Sequence, residues 1–102
     1  MSSPTQRSLA VMRERGYLAA VVERWNVHAR VRQDLFGIID VVAVGDDIVG
    51  VQATSASNVS KRVAKITDSE ALPILRRAGV RIVVHGWAKR RGRWQLREVD
   101  LS

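Results

Sequence analysis

The segment from Asp34 to Thr54, DLFGIIDVVAVGDDIVGVQAT, constrains this chain more than any other. Two apolar runs, Ile38 to Val44 and Ile48 to Ala53, are joined by Gly45, Asp46 and Asp47. That connection is too short for a crossover, so the runs form an antiparallel hairpin. Asp40 interrupts the first run, and a carboxylate in so apolar a strand is costly to bury without a partner or a metal. In the second run Gln52 and Thr54 alternate with Val51 and Ala53 and therefore point to one side of the sheet. An acid on one strand and polar ends on its neighbour define a candidate site.

Periodicity places the other elements around this hairpin. Leu9, Val11 and Met12 make a helical stripe from about Thr5 to Arg15 behind a frayed lead-in over residues 1 to 5, and Gly16 is a C-terminal stop. Tyr17 to Trp25 reads as the first strand, and the mostly polar Asn26 to Phe36 as a strand extension or a loop arching over the site. Ser55, Ser57 and Asn58 are N-cap candidates for a helix from about Val59 to Ile66. A second helix starts near Ser69 or Glu70, tolerates Pro73 in its first turn and ends at Gly79. Val80 to His85 is a strand, parallel to its predecessor because a helical crossover precedes it. Trp94 to Val99 is an edge strand, reached over the basic tip Lys89, Arg90, Arg91, Gly92 and Arg93. The order αβββααββ over residues 1–102 predicts one α/β domain with a central mixed sheet of about five strands flanked by helices.

Charge points to the partner. Residues 1 to 60 hold six Lys and Arg against six Asp and Glu, and residues 61 to 102 hold eleven against four, so the second part carries the whole net charge of +7. Such asymmetry favours a polyanion, nucleic acid first, over the alternatives of a solvated surface on a basic protein or attraction to anionic lipid, since no basic helix with a bulky apolar face is present. With no cysteine there is no disulfide framework and no thiolate metal site. No apolar run approaches the roughly 20 residues that span a bilayer, and MSSPTQRS lacks a signal peptide's apolar core, so an intracellular, cytoplasmic protein is expected.

The hairpin resembles the PD-(D/E)XK nuclease superfamily, the restriction-endonuclease-like fold of Holliday junction resolvases and many phage nucleases. In that family an Asp follows a short apolar strand and the next strand carries Glu-X-Lys. Here GIID ends at Asp40, and Gln52, Ala53 and Thr54 stand where Glu-X-Lys would. The resemblance runs from the helix near Leu9 to the strand after Arg93. It implies a DNA nuclease dependent on Mg²⁺ or Mn²⁺, prokaryotic or phage-encoded, working as a homodimer on branched or duplex DNA. It also implies that Asp40, the Gln52 amide oxygen and the Ala53 carbonyl hold the metal, weakly because an amide replaces a carboxylate. Thr54 and Ser55 would line the phosphate site. Lys61, or failing it Lys65, would supply the cation that Thr54 lacks, against the plainer reading of Lys61 as an exposed helix residue. Lys61, Arg62, Lys65, Lys89, Arg90, Arg91 and Arg93 would grip the DNA backbone. The competing classes are a binding module that kept this fold without catalysis, and an assembly protein with an acidic partner.

Other polar residues leave their alternatives open. Asp34, six residues before Asp40, is a metal ligand, a supporting acid or a turn residue. Asp46 and Asp47 belong to the hairpin turn. The first helix offers Thr5, Gln6 and Arg7 where the family often has a Glu, and Glu14 sits too near its end to substitute. His28 and His85 lack a visible orienting partner and read as a loop residue and a strand-end residue. Trp87 and Trp94 flank the basic tip and read as core, with base stacking as the alternative.

Overall fold

A computed structural model describes residues 3–102; the expected lead-in lies partly outside them. Helix α1 spans Pro4–Glu14, and Ser3 caps it by accepting a hydrogen bond from the Gln6 N–H at 3.2 Å, with Pro4 in the first turn where a missing N–H costs nothing. Strands β1 (Leu18–Val21), β2 (Arg24–Asn26), β3 (Val31–Gln33), β4 (Val41–Val44) and β5 (Ile48–Ser55) follow. After a 3₁₀ turn at Ala56–Asn58 come α2 (Val59–Thr67), α3 (Ala71–Arg77), β6 (Val80–Arg90) and β7 (Arg93–Asp100).

The main sheet has the order β1-β4-β5-β6-β7. Only the β5–β6 pairing is parallel, because α2 and α3 carry the chain across the sheet between them. The expected α/β architecture with a five-stranded mixed sheet is therefore the observed one. Leu9 and Met12 of α1 pack with Val41, Val49 and Val51 on one face, while Val59, Ile66 and Leu72 pack with Ile39, Ile82 and Val84 on the other. Among the described residues no helix is long and apolar enough to cross a membrane.

Two glycines mark close approaches. A Cβ on Gly50 would lie 2.8 Å from Ile39 Cδ1 and 3.0 Å from Ile82 Cδ1, so a side chain there would have to displace both isoleucines. A Cβ on Gly86 would lie 2.3 Å from Val59 Cγ2, so glycine lets the 3₁₀ turn and the start of α2 settle directly on β6.

Three elements differ from expectation. The first strand stops at Val21; the Val22 N–H makes a further bond to the Asp40 carbonyl at 2.8 Å, and the chain then leaves the sheet. Arg24–Asn26 pairs instead with Val31–Gln33 as a separate two-stranded hairpin. Asn26 shapes its turn by accepting from the backbone N–H groups of His28 and Ala29, both at 3.0 Å. The strand expected from Ile38 starts at Val41, because Leu35 to Ile39 fold into a tight turn closed by Leu35 N–H to the Ile39 carbonyl at 2.8 Å. Finally, β6 runs five residues beyond His85, so Lys89, Arg90 and Arg93 are strand residues and the tip is the two-residue turn Arg91-Gly92.

Candidate active site

Asp40 sits one residue before β4, yet its backbone is held in the ladder: its N–H bonds the Val51 carbonyl at 2.8 Å and its carbonyl accepts from Val22. The side chain is 3% exposed. Its Oδ2 accepts from the Ala53 backbone N–H at 2.8 Å and from Gln52 Nε2 at 2.7 Å. Gln52, wholly buried, uses the same Nε2 to reach Asp34 Oδ2 at 3.1 Å. Its Oε1 accepts from Lys65 Nζ at 3.3 Å, and that ammonium also meets Asp34 Oδ2 at 3.3 Å. One amide thus ties two carboxylates together and turns its oxygen to a cation.

A third acid completes the cluster. Glu23, between β1 and β2, brings a carboxylate oxygen to within 4.8 Å of oxygens of both Asp34 and Asp40. Its Oε1 also pairs with an Arg32 guanidinium nitrogen at 3.3 Å. Three hard oxygen donors at this spacing suit a divalent cation such as Mg²⁺ or Mn²⁺.

Burial, reinforced by the neighbouring Asp34 and only partly offset by the Ala53 N–H and Gln52, pushes the Asp40 carboxyl up to about 7. For Asp34 burial works the other way from its bonds, but hydrogen bonds from Asp40 and Gln52 and the Lys65 charge hold it below the usual carboxylate range. Of the two carboxyls, Asp40 is therefore the one that takes up a proton first as the pH falls.

Several expected roles shift. Lys65 reaches the carboxylates, whereas Lys61 is an exposed residue one turn earlier on α2. Packing of Val59, Val63 and Ile66 against the sheet fixes which turn of α2 overlies the site. The Gln52 amide oxygen faces Lys65 rather than the acids, and Ala53 offers Asp40 its N–H. Thr54 is buried on the Gln52 side of β5. Ser55 Oγ is engaged with Ser57 and Asn58, each at 3.2 Å, in the 3₁₀ turn. Arg62 lies half-buried on α2. Lys89, Arg90, Arg91 and Arg93 project beyond Ser55, the last β5 residue paired with β6, at the end of the sheet where Gln52 and Asp40 lie.

Glu23 was not singled out in the sequence, although it closes the apolar pair Val21-Val22 as Asp40 closes Ile38-Ile39. That shared pattern was its available signal.

The remaining polar residues serve the fold. His85, far from a strand end, is fully buried: its Nδ1 meets Ser8 Oγ at 2.9 Å and its Nε2 meets Glu98 Oε2 at 2.7 Å. Trp87 Nε1 donates to the same Ser8 oxygen at 2.9 Å. Burial holds the imidazole below its usual range, so it is neutral, donating from Nε2 to Glu98 and accepting at Nδ1 from Ser8. Trp87 is core, but Trp94 is 45% exposed, with the Arg7 guanidinium 3.5 Å above its ring centre. Asp47 is more than a turn residue, since it accepts from the Tyr17 hydroxyl at 2.6 Å and from Arg81 at 3.1 Å. His28 is exposed on the β2–β3 turn. Comparison with known protein families, with curated proteins and with solved structures finds no match to this chain.

Proposed function

We propose that this chain is a small metal-dependent nuclease of the PD-(D/E)XK type that hydrolyses phosphodiester bonds in DNA, with branched or junction DNA as the leading substrate. The observation that carries the reading is the convergence of Asp40, Asp34 and Glu23 with Gln52 and Lys65 at one end of a mixed sheet. Asp40, Asp34 and Glu23 would hold Mg²⁺ or Mn²⁺. That ion would supply an activated water and neutralise charge on the attacked phosphate.

The chain's own groups have separable tasks. The Ala53 N–H fixes the Asp40 carboxylate. Gln52 keeps two like-charged groups together while no cation does so. Because Asp40 takes up a proton as the pH falls through about 7, its carboxylate would be less available to a cation in more acidic media. Lys65 stands where the family's lysine charge is needed, beside the carboxylates, and is the group that stabilises the phosphate. Lys61, Arg62, Lys89, Arg90, Arg91 and Arg93 hold the backbone, and a homodimer would set two sites on one duplex or junction.

A second reading is favoured by one feature: the Gln52 amide, in place of a carboxylate, occupies both Asp34 and Asp40. On that reading the chain binds DNA without cutting it. Incubation of labelled duplex and four-way junction DNA with Mg²⁺ or Mn²⁺ decides between them. Cleavage that stops with chelator supports the nuclease; retarded but intact DNA supports the binding module.

A further inference from the structure

A turn beside the carboxylates is built from the wrong residue for folding. Leu35, Phe36, Gly37 and Ile38 form a tight turn in which both central residues have positive φ, +55° at Phe36 and +77° at Gly37, closed by the Ile38 N–H to the Leu35 carbonyl at 3.1 Å. Such turns favour Asn or Gly at the first central position, and a bulky aromatic there is strained. Burial does not compensate, because Phe36 is 61% exposed. Arg30 and Arg91 also have positive φ in exposed turns, but Phe36 alone of the three presents a large apolar face to solvent there, which points to a role in binding.

Its surroundings indicate what that is. Phe36 lines an open cavity of about 490 Å³ with Arg32, Gln33, Asp34, Gly37 and Lys65. The cavity therefore combines an aromatic face, an amide and two cations, and it reaches the cluster through Asp34 and Lys65. The adjoining β2–β3 hairpin exposes Trp25, Val27 and Val31 and carries Arg24, Arg30 and Arg32, an apolar surface set among positive charges.

We infer that Phe36 is a stacking platform for an unpaired DNA base, held in this cavity next to the phosphate at the carboxylate cluster. Bases inside a duplex are already stacked on their neighbours and have no free face to offer. The cavity therefore selects DNA with unpaired nucleotides at or beside the cleavage point, while Arg32 and Lys65 take the flanking phosphates. The inference rests on the DNA reading for the identity of the polymer but not on cleavage.

Binding in chelator, where no cleavage occurs, tests it. Affinities of wild type, Phe36→Asn and Phe36→Tyr are compared on a blunt duplex and on the same duplex with a central unpaired loop. Asn suits the turn, so Phe36→Asn stays folded. It is expected to lose about fivefold or more on the looped DNA and to match wild type on the blunt duplex, with Phe36→Tyr close to wild type on both. Equal losses on the two DNAs, no loss on looped DNA, or a Tyr variant as weak as Asn would overturn the inference. No binding of either DNA by wild type overturns it together with the DNA reading. Absence of metal-dependent cleavage with the selective loss intact overturns only the nuclease.

Discussion

Gln52 Nε2 donates to Asp40 Oδ2 at 2.7 Å and to Asp34 Oδ2 at 3.1 Å, so one side-chain amide holds together two carboxylates that would otherwise repel. A glutamate could not do this, since an ionised carboxylate only accepts hydrogen bonds. An amide at this position thus does in the protein what a carboxylate could not.

Asp40→Asn should abolish metal-dependent cleavage while leaving the fold intact. The asparagine oxygen can still accept from the Ala53 N–H and from Gln52, and its amide carries no charge to bury. Asp40 has its pKa raised from 3.8 to about 7, so its contribution to folding is fully present below the unfolded value and is lost as pH rises through about 7. Above that pH, in chelator, Asp40→Asn should exceed wild type by about 1–3 kcal/mol, a difference that vanishes near pH 4. Denaturant titrations at the two pH values measure it, and a variant less stable at pH 8 would contradict the assignment of burial as the cause.

Gln52→Glu should act in the opposite sense. It removes both donated hydrogen bonds and adds a third negative group beside Asp34 and Asp40, so stability in chelator should fall by about 1–3 kcal/mol. Mg²⁺ or Mn²⁺ should restore it and bind more tightly than to wild type. Adding Thr54→Lys should raise cleavage if the family geometry is kept. Calorimetric titration of metal gives the affinity, and thermal melts with and without metal give the stability. A melt insensitive to both changes would remove the cluster as a metal site.

Lys65→Ala and Lys61→Ala separate two lysines one helical turn apart. Only Lys65 reaches Gln52 and Asp34. Its loss should lower single-turnover cleavage by about 10²-fold. Loss of Lys61 should leave that rate unchanged and weaken binding only in a salt-dependent way. Equal cleavage defects would return the phosphate-binding cation to Lys61.

Changing Arg90, Arg91 and Arg93 together to Ala tests the basic hairpin. The log of affinity should fall with log salt at about −0.9 per neutralised duplex phosphate, and the triple variant should flatten that slope by up to about three contacts. All sequences should weaken alike, since phosphate contacts carry no base information. An unchanged slope would move the backbone contacts to Lys61, Arg62 and the arginines of the β2–β3 hairpin.

The local sequence determined most of the sheet. Two apolar runs, a connection too short for a crossover and two helices before β6 are enough to set Asp40 against Gln52 and to make β5–β6 parallel. These follow from neighbouring residues and chain length. Tertiary structure alone decided the rest of the cluster. Glu23, Asp34 and Lys65 come from the connection between β1 and β2, the segment after β3 and the last turn of α2. Their meeting depends on Leu35–Ile39 turning back on itself and on how Val59, Val63 and Ile66 seat α2. A pattern of period two or 3.6 says which face a side chain takes, but a lysine and its neighbour one turn away share that face. Only long-range packing fixes the height of a helix above a sheet, and that height selects Lys65 over Lys61.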